Sequence, residues 1–183
     1  MSPRNWWEYT CGYKEAGDLL LGKALHGGRQ HVLIYPIIFL YRHYIELQIK
    51  EIILNGSSYL GKSTKVPTIH NLEKLWEMCR GVLSEMDRDI LEQLGEKERS
   101  KYEAYEAALG EDIRVFSQWD PNSEYFRYPI DKRGDNIVVN LKDIHLDKLQ
   151  EQINKIEYEL EGIGVGVYEY LSAKEEWLSY QYE

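Results

Sequence analysis

The longest apolar stretch of the chain reads YPIIFLYRHYIELQIKEIIL and covers residues 35–54. Its ionisable residues include Arg42, His43, Glu46 and Lys50, which lie in the middle of the stretch. At about 100° per residue of helix, these four fall within an arc of about 100°. A surface helix usually has a broad polar face. The pattern therefore predicts a central helix that packs on several sides and carries one narrow polar line.

Helical periodicity continues on both sides of this stretch. The central helix is expected to cover residues 31–54 and to close at Asn55-Gly56, followed by a loop to residue 68. The preceding helix stops at Gly27-Gly28, a common end signal. Apolar residues at spacings of three and four predict the remaining helical segments. The predicted helical segments around the central helix are residues 16–26, about 69–86, 87–109 and 146–182. The third is amphipathic with a break near Gly95, and the last forms one long helix or two shorter ones.

Residues 119–145 have a different character, because aromatic and β-branched residues flank the polar sequence DKRGDN. Such a turn sequence between two apolar runs favours a small β-hairpin, here near residues 124–140. A length of 183 residues fits a single domain. The sequence therefore predicts a mainly all-α fold, a helical bundle of five or six helices with a small β-hairpin, in one domain that spans residues 1–183.

Composition narrows the functional classes. The formal net charge of −9 opposes long-range attraction to nucleic acid, so any RNA contact requires a local basic patch. The two cysteines, Cys11 and Cys79, have no disulfide or metal-ligand spacing, which favours a reduced, cytoplasmic protein. Charges in the middle of the apolar stretch oppose membrane insertion. We expect no membrane association and no metal or other cofactor.

The polar line on the central helix has two interpretations. Arg42 and Glu46, like Glu46 and Lys50, are oppositely charged pairs four residues apart, which can neutralise one another along a buried seam. In the alternative interpretation, the line faces a cleft. Arginine then binds phosphate with its paired donors, and His43 transfers a proton near neutral pH.

Other polar residues are candidates for the same site. His70 and Asn71 begin the helix that follows the loop, and a helix N-terminus attracts anions. Arg127 and Tyr128 lie in the predicted hairpin. The functional interpretation therefore assigns catalysis to Arg42, His43, Glu46 and His70. It assigns substrate binding to Lys50, Asn71, Arg127 and Tyr128.

Residues 56–63, GSSYLGKS, fit the P-loop pattern G-x-x-x-x-G-K-[ST]. A P-loop follows a strand and opens a helix, whereas this segment follows the longest helical pattern in the N-terminal half and precedes Pro67. A P-loop nucleotide-binding protein is thus a third, weaker alternative. The run GIGVGV at residues 162–167 carries no phosphate-binding Lys and indicates close helix packing or a kink.

Three segments in order, LYRHYIELQIKEII, HNLEKLW and SEYFRYPID, resemble a group of bacterial and phage helical proteins of the HEPN superfamily. The resemblance covers roughly residues 33–135. It implies a helical bundle, often dimeric, from a defence or toxin–antitoxin system; some members cleave RNA without a metal, and others bind nucleotides or act as partner subunits. HEPN ribonucleases carry Arg followed after four to six residues by His, and no Arg here has a His at that distance.

Two functions follow as hypotheses. In the first, the protein is a HEPN-like defence or toxin-type protein with a phosphate- or nucleotide-directed cleft, acting as a metal-independent ribonuclease in which His43 or His70 moves protons. Arg42 and Arg127 would stabilise the charge on phosphorus. In the second, the protein is a non-enzymatic binding or regulatory subunit, and the polar line is structural.

Both hypotheses include a homodimer and a protein partner encoded nearby. The candidate dimer contacts are the aromatic residues of the last helix. These are Tyr168, Tyr170, Trp177, Tyr180 and Tyr182.

Overall fold

A computed structural model describes residues 6–88, 95–121, 123–138, 141 and 144–181. The described chain forms five helices and is 78% helical, with essentially no strand, which confirms the all-α class. The helices are α1, Trp6–Gly27; α2, Gln30–Tyr59; α3, Leu72–Met86; α4, Glu96–Trp119; and α5, Leu146–Gln181.

Helix α2 lies at the centre of the bundle, as its narrow polar line predicts. Helices α1, α3 and α5 all pack against it, and α4 packs on α3 and α5. Apolar side chains of α2 such as Ile37, Ile45 and Ile49 are completely buried, and one apolar cluster extends through all five helices. Burial on several sides explains why the helix tolerates Pro36 in its interior.

Helix α2 ends at Tyr59. The predicted end at Asn55-Gly56 is therefore wrong by about one turn. Gly56 serves close packing rather than a turn, since a Cβ at this position would lie 2.5 Å from Val82 Cγ1 and 2.9 Å from Met86 Sδ. Residues 56–59 belong to α2, and no helix begins at Lys62, where a P-loop would start one. The segment that fits the P-loop pattern therefore lacks the strand–loop–helix arrangement that a P-loop has.

Two other helices are longer or more regular than expected. Helix α1 begins at Trp6, ten residues before the predicted start, because its buried positions include the polar or small residues Thr10, Lys14 and Gly17, which hide the helical period. Helix α5 is continuous through its three glycines. Apolar residues on both sides of the glycines, including Leu160 and Val167, are buried and hold the helix against the bundle.

The predicted hairpin is reduced to a turn. Among described residues 123–138, the only strand-like pairing is one antiparallel bridge between Ile130 and Asn136. Asp131 stabilises the turn by accepting hydrogen bonds from the backbone N–H groups of Arg133 and Asp135, at 2.8 and 3.0 Å. Local side-chain bonds of this kind compete with a strand ladder. The remainder of the predicted second strand, at residues 139–140, lies outside the described residues.

No described helix combines the length and the apolar character needed to span a lipid bilayer.

Candidate functional site

The polar line of α2 becomes a buried network of charges. Arg42 has no exposed surface, Glu46 is 2% exposed and Lys50 is 5% exposed. Glu46 Oε2 accepts a hydrogen bond from Arg42 Nη1 at 2.9 Å, and Oε1 accepts one from Lys50 Nζ at 2.8 Å. Each bond joins residues four apart, so a single helical turn sets the geometry.

Arg42 connects α2 to two distant parts of the chain. Its Nε donates to the backbone carbonyl of Asp120 at 3.0 Å, at the end of α4, and its Nη2 donates to the carbonyl of His70, directly before α3. Asp120 Oδ2 lies 3.8 Å from Arg42 Nε. The three nitrogen atoms of the guanidinium are thus all bonded inside the protein.

Asp120 is a member of the network that no sequence pattern predicted. The side chain is fully buried, and Oδ1 accepts hydrogen bonds from the backbone N–H groups of Glu124 and Tyr125, at 2.7 and 3.1 Å. The sequence signal is the W-D-P run, in which an aspartate precedes a turn-forming proline and caps the backbone that follows. Asp120 balances the second cation of the network, because Glu46 and Asp120 together offset Arg42 and Lys50.

Asn71 fixes the start of α3. Its Oδ1 accepts a hydrogen bond from the N–H of Lys74 at 2.9 Å, which is an N-cap, and its Nδ2 donates to the carbonyl of Pro121 at 3.1 Å. Asn71 therefore binds the same two linkers that Arg42 joins. We use the name polar network for the residues Arg42, Glu46, Lys50, His70, Asn71 and Asp120.

His70 is the exposed member of the polar network. Its Nδ1 lies 2.9 Å from Glu46 Oε1, while 57% of its side chain is exposed. A carboxylate only accepts hydrogen bonds, so Nδ1 carries the proton in this contact, and Nε2 of a neutral ring would be an acceptor. Burial raises the pKa of Glu46, but hydrogen bonds from Lys50, His70 and Arg42 outweigh it and hold that pKa below its usual value.

His43, Arg127 and Tyr128 lie together on a neighbouring surface. The His43 ring contacts Tyr13 edge-on, with centroids 4.3 Å apart, and stacks on Phe39 at 5.8 Å. The guanidinium of Arg127 lies 5.8 Å from the centre of the same Phe39 ring and 5.7 Å from that of Tyr128. Arg127 Nε donates to the carbonyl of Ser123.

The structure thus separates the eight predicted site residues into two groups. Five of them, Arg42, Glu46, Lys50, His70 and Asn71, belong to the polar network. The other three, His43, Arg127 and Tyr128, form the aromatic surface beside it. Sequence spacing placed His43 and Arg42 next to each other, but adjacent residues of a helix point about 100° apart, so their side chains meet different partners.

Lowering the pH below neutrality is expected to destabilise the protein through His43. Burial lowers the pKa of this imidazole below its ordinary value of 6.5, and the charges of Arg42, Lys50 and Arg127 lower it further, against the opposing charge of Glu46. As the pH falls, His43 therefore takes up a proton at a higher pH in the unfolded chain than in the folded protein. The contribution to stability is complete above pH 6.5 and is lost as the pH falls through the folded-state pKa.

Urea unfolding of wild type and His43→Phe between about pH 7.5 and about pH 5 measures this effect. The variant keeps an aromatic ring against Tyr13 and removes the titrating group. We expect the free energy of unfolding to fall less steeply with decreasing pH in the variant. Identical slopes would show that His43 does not contribute to the pH dependence.

Comparisons of the chain with models of known protein families, with curated proteins and with solved structures give no match.

Proposed function

We propose that this protein is a non-enzymatic binding or regulatory subunit whose polar network holds the fold together. The observation that carries the proposal is the complete burial of Arg42, with each guanidinium nitrogen bonded to an internal acceptor. An arginine that stabilises a phosphate must direct its donors at ligand oxygens. Arg42 instead joins α2 to the linkers before α3 and after α4.

The biological setting follows from the sequence resemblance to HEPN proteins over roughly residues 33–135. We place the protein in a bacterial or phage defence or toxin–antitoxin system, with a protein partner encoded nearby. In such systems some HEPN-like chains act as partner subunits. The net charge of −9 repels a long nucleic acid and supports a protein partner instead.

One observation favours a catalytic alternative. Glu46 orients the His70 ring through Nδ1, which leaves Nε2 of a neutral ring as an acceptor on a side chain that is 57% exposed. A carboxylate that fixes the tautomer of a histidine is a common arrangement for a general base. In this second function the protein is a metal-independent ribonuclease, and His70 accepts the proton of a ribose 2′-hydroxyl.

An RNA cleavage assay separates the two functions. The substrate is a 5′-labelled single-stranded RNA in the presence of EDTA, incubated with wild type and with His70→Gln. We expect both proteins to leave the RNA intact. Cleavage by wild type that disappears in a His70→Gln protein of unchanged melting temperature would replace the proposed function with the catalytic one.

We also propose that the protein is a homodimer that forms through the end of α5. Beyond Leu171 this helix has no buried residue, and Trp177, Leu178 and Tyr180 are 58%, 36% and 70% exposed. Exposed aromatic residues on one element are typical of an interface. Tyr168 and Tyr170, also predicted to contact the partner, are 59% and 42% exposed, whereas Tyr182 lies outside the described residues.

Light scattering during size-exclusion chromatography tests the dimer. We expect a mass of twice the 21.6 kDa of the chain for wild type and a mass of one chain for Trp177→Glu/Tyr180→Glu. A wild-type mass of 21.6 kDa would contradict the proposed dimer.

A further inference from the structure

A groove lies on the face of α2 opposite the polar network. Helices α1 and α5 both pack on α2 and leave between them an open space of about 790 Å³. Glu51, which lines it, is about 180° around the helix from Arg42. The apolar part of the lining comes from Tyr44 and Ile52 of α2, and Gly164 of α5 keeps that side open.

The groove has a large excess of negative charge. Among the described residues that line it, the only lysine or arginine is Lys14, which pairs with Asp18 and with Glu157, with both N–O distances 2.9 Å. The other four carboxylates make no ion pair with any described residue. The six acidic residues that line the groove are Glu15, Asp18, Glu51, Glu157, Glu161 and Glu169.

A buried amide without a partner faces the same groove. Asn55 is only 6% exposed, and its side chain lines the groove next to Ile52 and Glu51. Within the described part of the chain, this carboxamide makes no hydrogen bond. Buried polar groups are almost always hydrogen-bonded. The Asn55 amide is open to the groove, so a ligand that lies there can supply the hydrogen bond that the described residues do not.

Protonation behaviour agrees with a negative potential in the groove. Burial raises the pKa of the Cys11 thiol, and the charges of Glu15, Glu161 and Glu157 raise it further. A bound cation would relieve this unfavourable accumulation of carboxylates.

The spacing of the carboxylates favours an extended organic cation over a metal ion. No group of three or more His, Cys, Asp or Glu side chains in the described residues is positioned to hold a metal ion. The charges are instead spread over three helices, with an apolar surface between them. Trp7 and Tyr168, at the edge of the groove, are 72% and 59% exposed and offer ring faces to a cation.

We propose that this groove binds a linear aliphatic polyamine. The spaced ammonium groups would pair with Glu15, Glu51 and Glu161. One of their N–H groups would donate to the side-chain amide oxygen of Asn55. The methylene segments would cover Ile52 and Gly164. The volume lies within the range of small-molecule sites, which is about 300–1,000 Å³. The groove shares no residue with the polar network, so this proposal stands or falls independently of the proposed function.

Calorimetric titration with spermidine, a linear triamine, tests the proposal in buffer of fixed, physiological ionic strength. Gly164→Leu places a side chain in the groove without changing any charge. Gly162→Leu is the matched control on the same helix, because a Cβ there meets no atom within 4 Å. We expect saturable binding to wild type and to Gly162→Leu, and binding weaker by about tenfold or more in Gly164→Leu.

Two double variants keep the test valid if Gly164→Leu does not fold. Glu51→Gln/Glu161→Gln removes two groove carboxylates, whereas the control Glu77→Gln/Glu175→Gln removes two exposed carboxylates elsewhere. Only the groove double variant is expected to weaken binding, by about tenfold. Three results would overturn the proposal: no saturable binding to wild type, equal binding by the two leucine variants, or equal loss in the two charge variants.

Discussion

Replacing Arg42 with alanine is expected to lower the free energy of unfolding by about 3–5 kcal/mol. The substitution leaves the buried Glu46 and Asp120 carboxylates without their shared cation. It also removes the donors that hold the backbone carbonyls of His70 and Asp120. Breaking a buried ion pair on one side is costly because the remaining charge stays desolvated. Urea denaturation at pH 7 measures the loss.

Arg114→Ala provides the matched control for this measurement. Arg114 also pairs with a glutamate on its own helix, Glu111, but both side chains are exposed on α4. Exposed pairs contribute little because water and salt screen them. We expect no measurable loss in Arg114→Ala. Equal stability of the two variants would show that the polar network does not hold the fold together.

Asp120→Ala is expected to lower the free energy of unfolding by about 2–4 kcal/mol. It leaves the backbone N–H groups of Glu124 and Tyr125 without their acceptor. It also leaves Arg42 without the nearby carboxylate. Asp120→Asn can keep an oxygen at the Oδ1 position, while it removes the charge and replaces Oδ2 by an NH2 group. We therefore expect the asparagine variant to lose clearly less stability in the same urea experiment. Equal losses in both variants would contradict the role of Oδ1 as an acceptor for the backbone.

The central helix and its internal pairs could be predicted because they depend on local spacing. Arg42, Glu46 and Lys50 are four residues apart, so helical geometry alone brings their charged groups together. The narrow arc of polar residues likewise indicated that α2 is packed on several sides. His70 and Asn71 could be placed at the start of α3, and Asn71 is indeed its N-cap.

The remaining partners depend on tertiary structure. Asp120 is 78 residues from Arg42, and only the packing of α4 against α3 and α5 brings them together. Glu51 lies within the apolar stretch and Asn55 directly after it, and neither indicated a groove, because most of the other lining residues come from α1 and α5. Gly56 looked like a helix end, yet the close approach of α3 requires a residue without a side chain at this position. Such distant contacts leave no periodic signal in the sequence.

The most direct test of the central claim is thermal unfolding of wild type and Arg42→Ala, each with and without inorganic phosphate and a short single-stranded RNA. A structural role for the polar network implies that neither ligand raises the melting temperature of wild type and that Arg42→Ala melts far earlier under all conditions. Stabilisation of wild type by phosphate or RNA that disappears in an Arg42→Ala protein of near-normal melting temperature would contradict this role and identify Arg42 as part of a phosphate-binding site.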